Sequence, residues 1–185
     1  MDLEKEGKGK EMGEFTHFDQ QGNARMVDVG GKPDTEREAC ARGSIWMSAE
    51  CLAKIKAKNM KKGDVLGAAQ IAGIMAAKRT WETIPLCHLI QLTSVTLEFS
   101  ILEEKGEIQA FCRTKTRGKT GVEMEALMGV SAALLTIYDM CKAVDRGMVM
   151  GEIRLDYKAG GKSGEFVHPH GDCGPYSGKG QCQDD

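Results

Sequence analysis

This sequence predicts an α+β domain, an antiparallel sheet with helices packed on one face, and three observations predict it. First, "SVTLEFSILE" (94–103) alternates, with Val95, Leu97, Phe99 and Ile101 on one side and Thr96, Glu98 and Ser100 on the other, as a half-buried strand does. Second, "EKG" (104–106) turns the chain and "EIQAFCRT" (107–114) returns it, the pattern of a hairpin. Third, a long apolar stretch with helical spacing follows, before "EIRLDYK" (152–158) alternates once more.

The other elements fall into place around these. Residues 1–20 are polar and are expected to form a flexible segment. "GSIWMS" (43–48) reads as a short strand, and Ser48 can cap a helix through "AECLAKIKAKN" (49–59). "KKGDV" (61–65) is a turn. A helix rich in small residues then covers 66–84 and stops at Pro85, because the residue before a proline is pushed out of the helical region. The long helix is expected from Thr120 to Val144. The order β-α-α-β-β-α-β suits a split β-α-β arrangement in one domain, residues 21–166. The tail 167–185, "VHPHGDCGPYSGKGQCQDD", is expected to be disordered.

Composition narrows the function classes. A chain of 185 residues is long enough for one domain with a real core. A net charge of −2 gives no global basic field for nucleic acid, and 5% aromatics argues against stacking platforms for single strands. No apolar run reaches about 18 residues, so no membrane span is expected. The start, "MDLEKEGKGKEMGEF", is neither a secretory signal nor an acid-poor transit peptide. Seven cysteines, odd in number and without C-x-x-C, argue for free thiols in a reducing compartment. That compartment is the cytoplasm, or the mitochondrial matrix if the source is eukaryotic.

The long helix carries Leu127, Val130, Leu134, Ile137 and Cys141 in one stripe that can bury against the sheet. Met128, Ala132, Leu135 and Met140 lie on its other sides. A helix apolar nearly all round is covered twice, and a second subunit is the expected second cover. Asp139 and Lys142 close this apolar run and share a helix face. Spacing alone makes them an ordinary surface ion pair; the apolar setting raises a functional reading, because charges there need partners or a task.

Thr120 and Glu123 have the spacing of a capping box, which explains Glu123 structurally and leaves Glu125 unexplained. The loop "RGKTG" (117–121) brings glycines, a lysine and backbone N–H groups to a helix start, a setting for an anion. Neither "GKT" nor the later "GGKSG" is a P-loop, since Arg113 and Asp156 stand where the first glycine is required. Cys87 and His88 are adjacent, a poor geometry for a chelate or a nucleophile pair. The lysines at 54, 56, 58, 61 and 62 read as a solvated face. In the tail, His168, His170 and Cys173 are of metal-binding type but sit in glycine-rich surroundings; no metal site is assigned.

Taken together, "KKGDV", "AAKRTWETIPLCH", "GKTGVEMEAL", "LTIYDMCKAV" and "GGKSG" resemble the cyclic pyranopterin monophosphate synthase family of molybdenum cofactor biosynthesis, from about Phe15 to Phe166. The resemblance implies a ferredoxin-like fold and a hexamer built as a trimer of dimers, with sites at subunit boundaries. The implied reaction converts (8S)-3′,8-cyclo-7,8-dihydroguanosine 5′-triphosphate to cyclic pyranopterin monophosphate with release of pyrophosphate. It implies no redox cofactor, and it leaves open whether Mg²⁺ accompanies the phosphates. By the same resemblance Asp139, Lys62 and Lys142 are catalytic. Leu86, Cys87, His88, Glu123, Met124 and Glu125 are substrate contacts, and Arg37, Lys78 and Lys158 are further basic positions at the substrate. Two positions depart from the family pattern: Leu89 follows "PLCH", where proline or histidine is frequent, and Gln70 stands where arginine is usual.

The chemistry agrees with these residue types. A triphosphate needs several fixed cations. A ring rearrangement needs proton transfers, which amines manage near neutral pH only when burial or a neighbouring cation tunes them. Lys62 and Lys142 are therefore expected to converge from different elements or different chains, with Asp139 orienting Lys142. The rival from another class is a regulatory nucleotide-binding module of the same form without chemistry. It accounts for the anion-binding loop but not for the charges on the apolar helix.

Overall fold

The alternation that marks the hairpin also sets the layers, because residues of one parity in each strand are apolar and need a cover. The computed structural model describes residues 21–171 and 173–175, so the expected flexible segment 1–20 lies outside the described residues. In chain order the elements are β1 (Thr35–Trp46), α1 (Ala49–Lys56), α2 (Val65–Lys78), α3 (Thr80–Thr83), β2 (Ser94–Leu102), β3 (Glu107–Gly118), α4 (Glu123–Cys141), β4 (Val149–Ala159) and β5 (Phe166–Val167). The sheet order is β2-β3-β1-β4-β5 and every pairing is antiparallel. Each β-α-β unit is thus split by an intervening antiparallel strand, the α+β, ferredoxin-like arrangement.

The helical face of the sheet supplies Ala39, Ala41 and Ile45 from β1, Leu97 from β2, and Ile108, Ala110 and Cys112 from β3, all fully buried. Against them α4 sets Ala126, Val130, Ala133, Leu134, Ile137 and Cys141. The stripe differs from expectation at one position, since Leu127 is only partly buried while Ala126 and Ala133 go fully inside. On its second side α4 is gripped by α2 of the same chain, so part of the cover expected from a subunit is internal. The approach is close because both helices present glycine. A Cβ on Gly73 would lie 2.2 Å from Leu97 Cδ1 and 2.7 Å from the Gly129 carbonyl oxygen; one on Gly129 would lie 2.5 Å from Cys112 Sγ. By length and composition α4 is the one described helix able to cross a membrane, but half of that stretch is buried inside this domain.

Several element boundaries differ from the sequence reading, three of them with a clear physical reason. β1 begins at Thr35, not Gly43, because "TEREACAR" hides its alternation: its outward residues are charged yet paired, Glu38 with Arg113 and Lys115, Arg42 with Asp156. The helix expected over 66–84 breaks at Arg79 into α2 and α3. There the buried Thr80 hydroxyl donates to the Ala77 carbonyl at 3.1 Å, a local bond that competes with helix continuation. The long helix starts at Glu123, after an N-cap Val122 that makes no side-chain capping bond, so the Thr120–Glu123 capping box does not form. Glu123 occupies the first helical position, whereas the box requires the third. Ser48 does cap α1, accepting from the Cys51 N–H at 3.3 Å.

Of the tail expected to be disordered, the start is described: Phe166 and Val167 pair with Lys158 and Tyr157, and the His168 N–H donates to the Asp156 carbonyl at 2.9 Å. Residues 176–185 lie outside the described residues.

Gly73→Ala tests the helix crossing. In an exposed helix such a change stabilises by up to about 1 kcal/mol; here the overpacking should invert the sign and cost about 1–3 kcal/mol, read as a lower denaturant midpoint with an unchanged slope.

Candidate active site

The turn "KKGDV" is built to hold Lys62 still. Gly63 takes φ +90°, where a side chain would be strained, and its N–H donates to the Met60 carbonyl at 2.9 Å. Asp64 then caps α2 by accepting from the Gly67 N–H at 3.0 Å. Lys62 is aimed at the far end of α4. Its ammonium donates to Asp139 Oδ2 and to the Asp139 carbonyl, both at 2.9 Å. Lys142, the C-cap residue of α4, reaches Asp139 Oδ1 at 2.7 Å. One carboxylate thus joins two amines from different elements of a single chain. The hydrogen bonds from Lys142 and Lys62 hold the Asp139 carboxyl down to about 2.

The trio does not lie on a buried face. The side chains of Lys62, Asp139 and Lys142 are each about half exposed in the single chain, at 48%, 57% and 54%. The buried part of the run that precedes Asp139, Ala126, Val130, Ala133, Leu134 and Ile137, lies on the opposite side of the helix. What shares the face of Asp139 is a stripe at i−4, i−7, i−11 and i−15, namely Leu135, Ala132, Met128 and Met124. Leu135 is 57% exposed.

A second group gathers at the other end of α4. Glu125 is buried, and removal from water pushes its carboxyl up to about 7, with the Glu123 charge adding to the effect. The Cys87 thiol is pushed up by burial and by the charge of Glu125, which keeps Cys87 a thiol. Glu123 folds its carboxylate back over Gly121, where a Cβ would lie 2.0 Å from Oε2; the missing cap therefore leaves an acid at the helix start with a glycine beneath it. Met124 stands exposed between the two acids. The segment before β2 is tied down by the Thr116 hydroxyl donating to the Gln91 carbonyl at 2.7 Å and by the Thr93 N–H donating to Lys115 O at 2.8 Å. In that segment Leu86 and Cys87 are half-buried, and His88 Nε2 lies 2.8 Å from the Val27 carbonyl oxygen.

The remaining basic positions are spread out. Arg37 donates to the carbonyls of Gly118 (3.0 Å) and Lys119 (3.1 Å), and a Cβ on Gly161 would lie 1.9 Å from its Nη1. It fastens the "RGKTG" loop to the "GGKSG" loop. Lys158 bonds the Ser163 hydroxyl of that second loop. Lys78 borders a hollow of about 410 Å³ with Ile74 and residues 90–95. Gln70, the departure from the family pattern, bonds the Leu97 carbonyl at 2.7 Å and braces α2 on β2. Of the lysine run, Lys54, Lys56 and Lys58 pair with Glu50, Glu103 and Asp64, as a solvated face does. Among the described residues no group of three His, Cys, Asp or Glu side chains could hold a metal ion, so His168, His170 and Cys173 do not form one.

Glu125 gives a pH test. Its folded pKa stands above the ordinary 4.5, so its burial is tolerated while protonated and penalised once ionised. Stability should fall as pH rises from about 4.5 to about 7 and stay level above, by up to about 3 kcal/mol. Glu125→Gln should flatten that part of the unfolding free energy profile and be the more stable chain at pH 8.

Comparison with known proteins identifies the frame in which these groups sit. The MoaC family matches residues 26–161. The cyclic pyranopterin monophosphate synthase of Peptoclostridium acidaminophilum is 60% identical over 153 residues, 83% of this chain and 96% of that protein. Those of Natranaerobius thermophilus, at 57% over 153 residues, and Roseiflexus sp. (strain RS-1), at 55% over 157, cover 96% and 99% of their own lengths. A match spanning both ends of α4, the "KKGDV" turn and the "RGKTG" loop shows that this chain belongs to the MoaC family.

Proposed function

We propose that the chain is a cyclic pyranopterin monophosphate synthase, a phosphorus-oxygen lyase of molybdenum cofactor biosynthesis. It acts on (8S)-3′,8-cyclo-7,8-dihydroguanosine 5′-triphosphate, and the observation that carries the reading is the Lys62–Asp139–Lys142 trio. Two ammoniums on one carboxylate leave a net positive charge, which attracts a triphosphate, and an amine is the proton donor or acceptor that a ring rearrangement needs. Asp139 orients both amines. An internal hydroxyl then attacks the α-phosphorus, the P–O bond to the β-phosphate breaks, and pyrophosphate leaves. Lys78, Lys158 and His88 are of the type that neutralises the leaving group, while Arg37 shapes the two glycine loops around it. No redox cofactor takes part.

Distance supports a site shared between chains. Asp139 follows Glu125 by fourteen helical residues, about 21 Å along α4. Groups that far apart do not act on one ring system, so the site is completed by a second copy: the trio from one chain, and Leu86, Cys87, His88 and Glu123 to Glu125 from its neighbour. The stripe from Met124 to Leu135 leads straight into Asp139, and Ile71 and Met75 stand exposed on α2. A neighbour seated on these apolar residues shields the trio from bulk water. A hexamer built as a trimer of dimers supplies such contacts.

Asp139→Asn should keep the fold and lower pyrophosphate release by about 10²–10⁴-fold; near-normal turnover would remove Asp139 from the chemistry. Saturable substrate binding by the unaltered chain with no pyrophosphate released would favour the regulatory module instead. In mixed oligomers, Lys62→Ala chains combined with Glu125→Gln chains should regain activity through hybrid sites. Lys62→Ala combined with Lys142→Ala should not, because no chain then carries an intact trio. The reverse pattern would place the two lysines of one site on different subunits.

A further inference from the structure

The sheet face away from the helices carries an unusual cover. Cys40 on β1 points there, as do Phe111 on β3 and Asp156 on β4, and all three are at most 1% exposed. What hides them includes the chain's own C-terminal segment, which begins after residue 161, where the family match ends. The segment is fastened repeatedly. Arg154 donates to the His170 carbonyl at 2.8 Å, and the Gly171 N–H donates to His168 O at 2.7 Å. Gly174 sits so close to Phe111 that a Cβ would lie 2.7 Å from the ring. Between these contacts Cys173 comes within hydrogen-bonding reach of the Cys40 thiol.

A second thiol pair exists, Cys51 with Cys141, but both are fully buried in the core. Cys173 is partly exposed. Thiol exchange needs a sulfur that solution reagents can reach, so the two pairs have different fates. We propose that Cys40 and Cys173 form a reversible disulfide that clamps the C-terminal segment across the open face of the sheet. The oxidant is a small disulfide such as glutathione disulfide. Cys173 attacks one glutathione sulfur and releases the first glutathione. Cys40 then attacks the Cys173 sulfur of the mixed disulfide and releases the second. The two protein thiol protons end on the two glutathione sulfurs, so two thiols are oxidised and one disulfide is reduced. The clamp also closes the hairpin between β4 and β5, whose loop carries Ser163, the partner of Lys158.

The test incubates the full chain with glutathione disulfide under native conditions, blocks remaining thiols, and maps peptides without reduction. A cross-linked peptide joining Cys40 to Cys173 should be the main intramolecular product, reversed by dithiothreitol, with Cys51 and Cys141 still thiols. Trypsin cutting at the exposed Lys162 should leave the C-terminal fragment attached until reduction. Because Cys40 lies in the sheet, the diagnostic variant is Cys173→Ser, which should unfold at the same temperature as the reduced chain and lose the cross-link. Glutathione accumulating on Cys173 while Cys40 stays a thiol would overturn the proposal. So would a dominant Cys51–Cys141 link, or a fragment still retained in Cys173→Ser.

Discussion

The structure depends on how α4 is packed. One stripe of its 19 residues is sealed on the sheet, a second side is pressed against α2 through Gly73 and Gly129, and what remains faces outward. The two helices lie so close that a Cβ on Gly129 would run into Cys112 and one on Gly73 into Leu97, and close packing of this kind resists deformation. It gives the two ends of α4 fixed positions. Asp139 stands at one end, where the "KKGDV" turn delivers Lys62; Glu125 stands at the other, where the segment before β2 delivers Cys87. The helix works as a ruler that keeps these two groups apart within a chain.

The two ends differ electrostatically. At Asp139 the carboxylate is in water and surrounded by amines, so it is ionised at any physiological pH. At Glu125 a carboxyl is taken out of water with another acid nearby, so it titrates near neutrality. One end offers a fixed anion that organises two cations, and the other offers a proton that can be lost or gained. A site that joins the two from neighbouring chains combines both kinds of group, which neither end has alone.

The open face of the sheet follows a different logic. It is polar and largely buried, held by Arg42 and Arg154 on Asp156 and by the Ser44 hydroxyl donating to Glu107 at 2.6 Å. Charges of this sort are stable only when each has a partner. The C-terminal segment contributes to this cover through carbonyls and N–H groups more than through apolar side chains, which is why its composition read as disordered.

Local pattern was enough for much of the fold. Period-2 alternation located β2, β3 and β4, a hydroxyl located the start of α1, and Pro85 located the end of the second helical stretch. These features are written in neighbouring residues. The motif "YDMCK" and the turn "KKGDV" likewise marked Asp139, Lys142 and Lys62 through a resemblance that needs no coordinates. Other features depend on residues far apart in the chain. The first half of β1 was hidden because its charges are neutralised by β3 and β4; the start of α4 slipped past the capping spacing; and the exposure of the trio contradicts the apolar run beside it in sequence. Hydrophobicity along a chain says that a helix is covered, but only packing says on which side. The sequence by itself determined which residue types could do the chemistry. Tertiary structure decided that both amines meet one carboxylate and that the acids of α4 lie a helix-length away, because those distances are set by the sheet and by the glycine contact between α2 and α4.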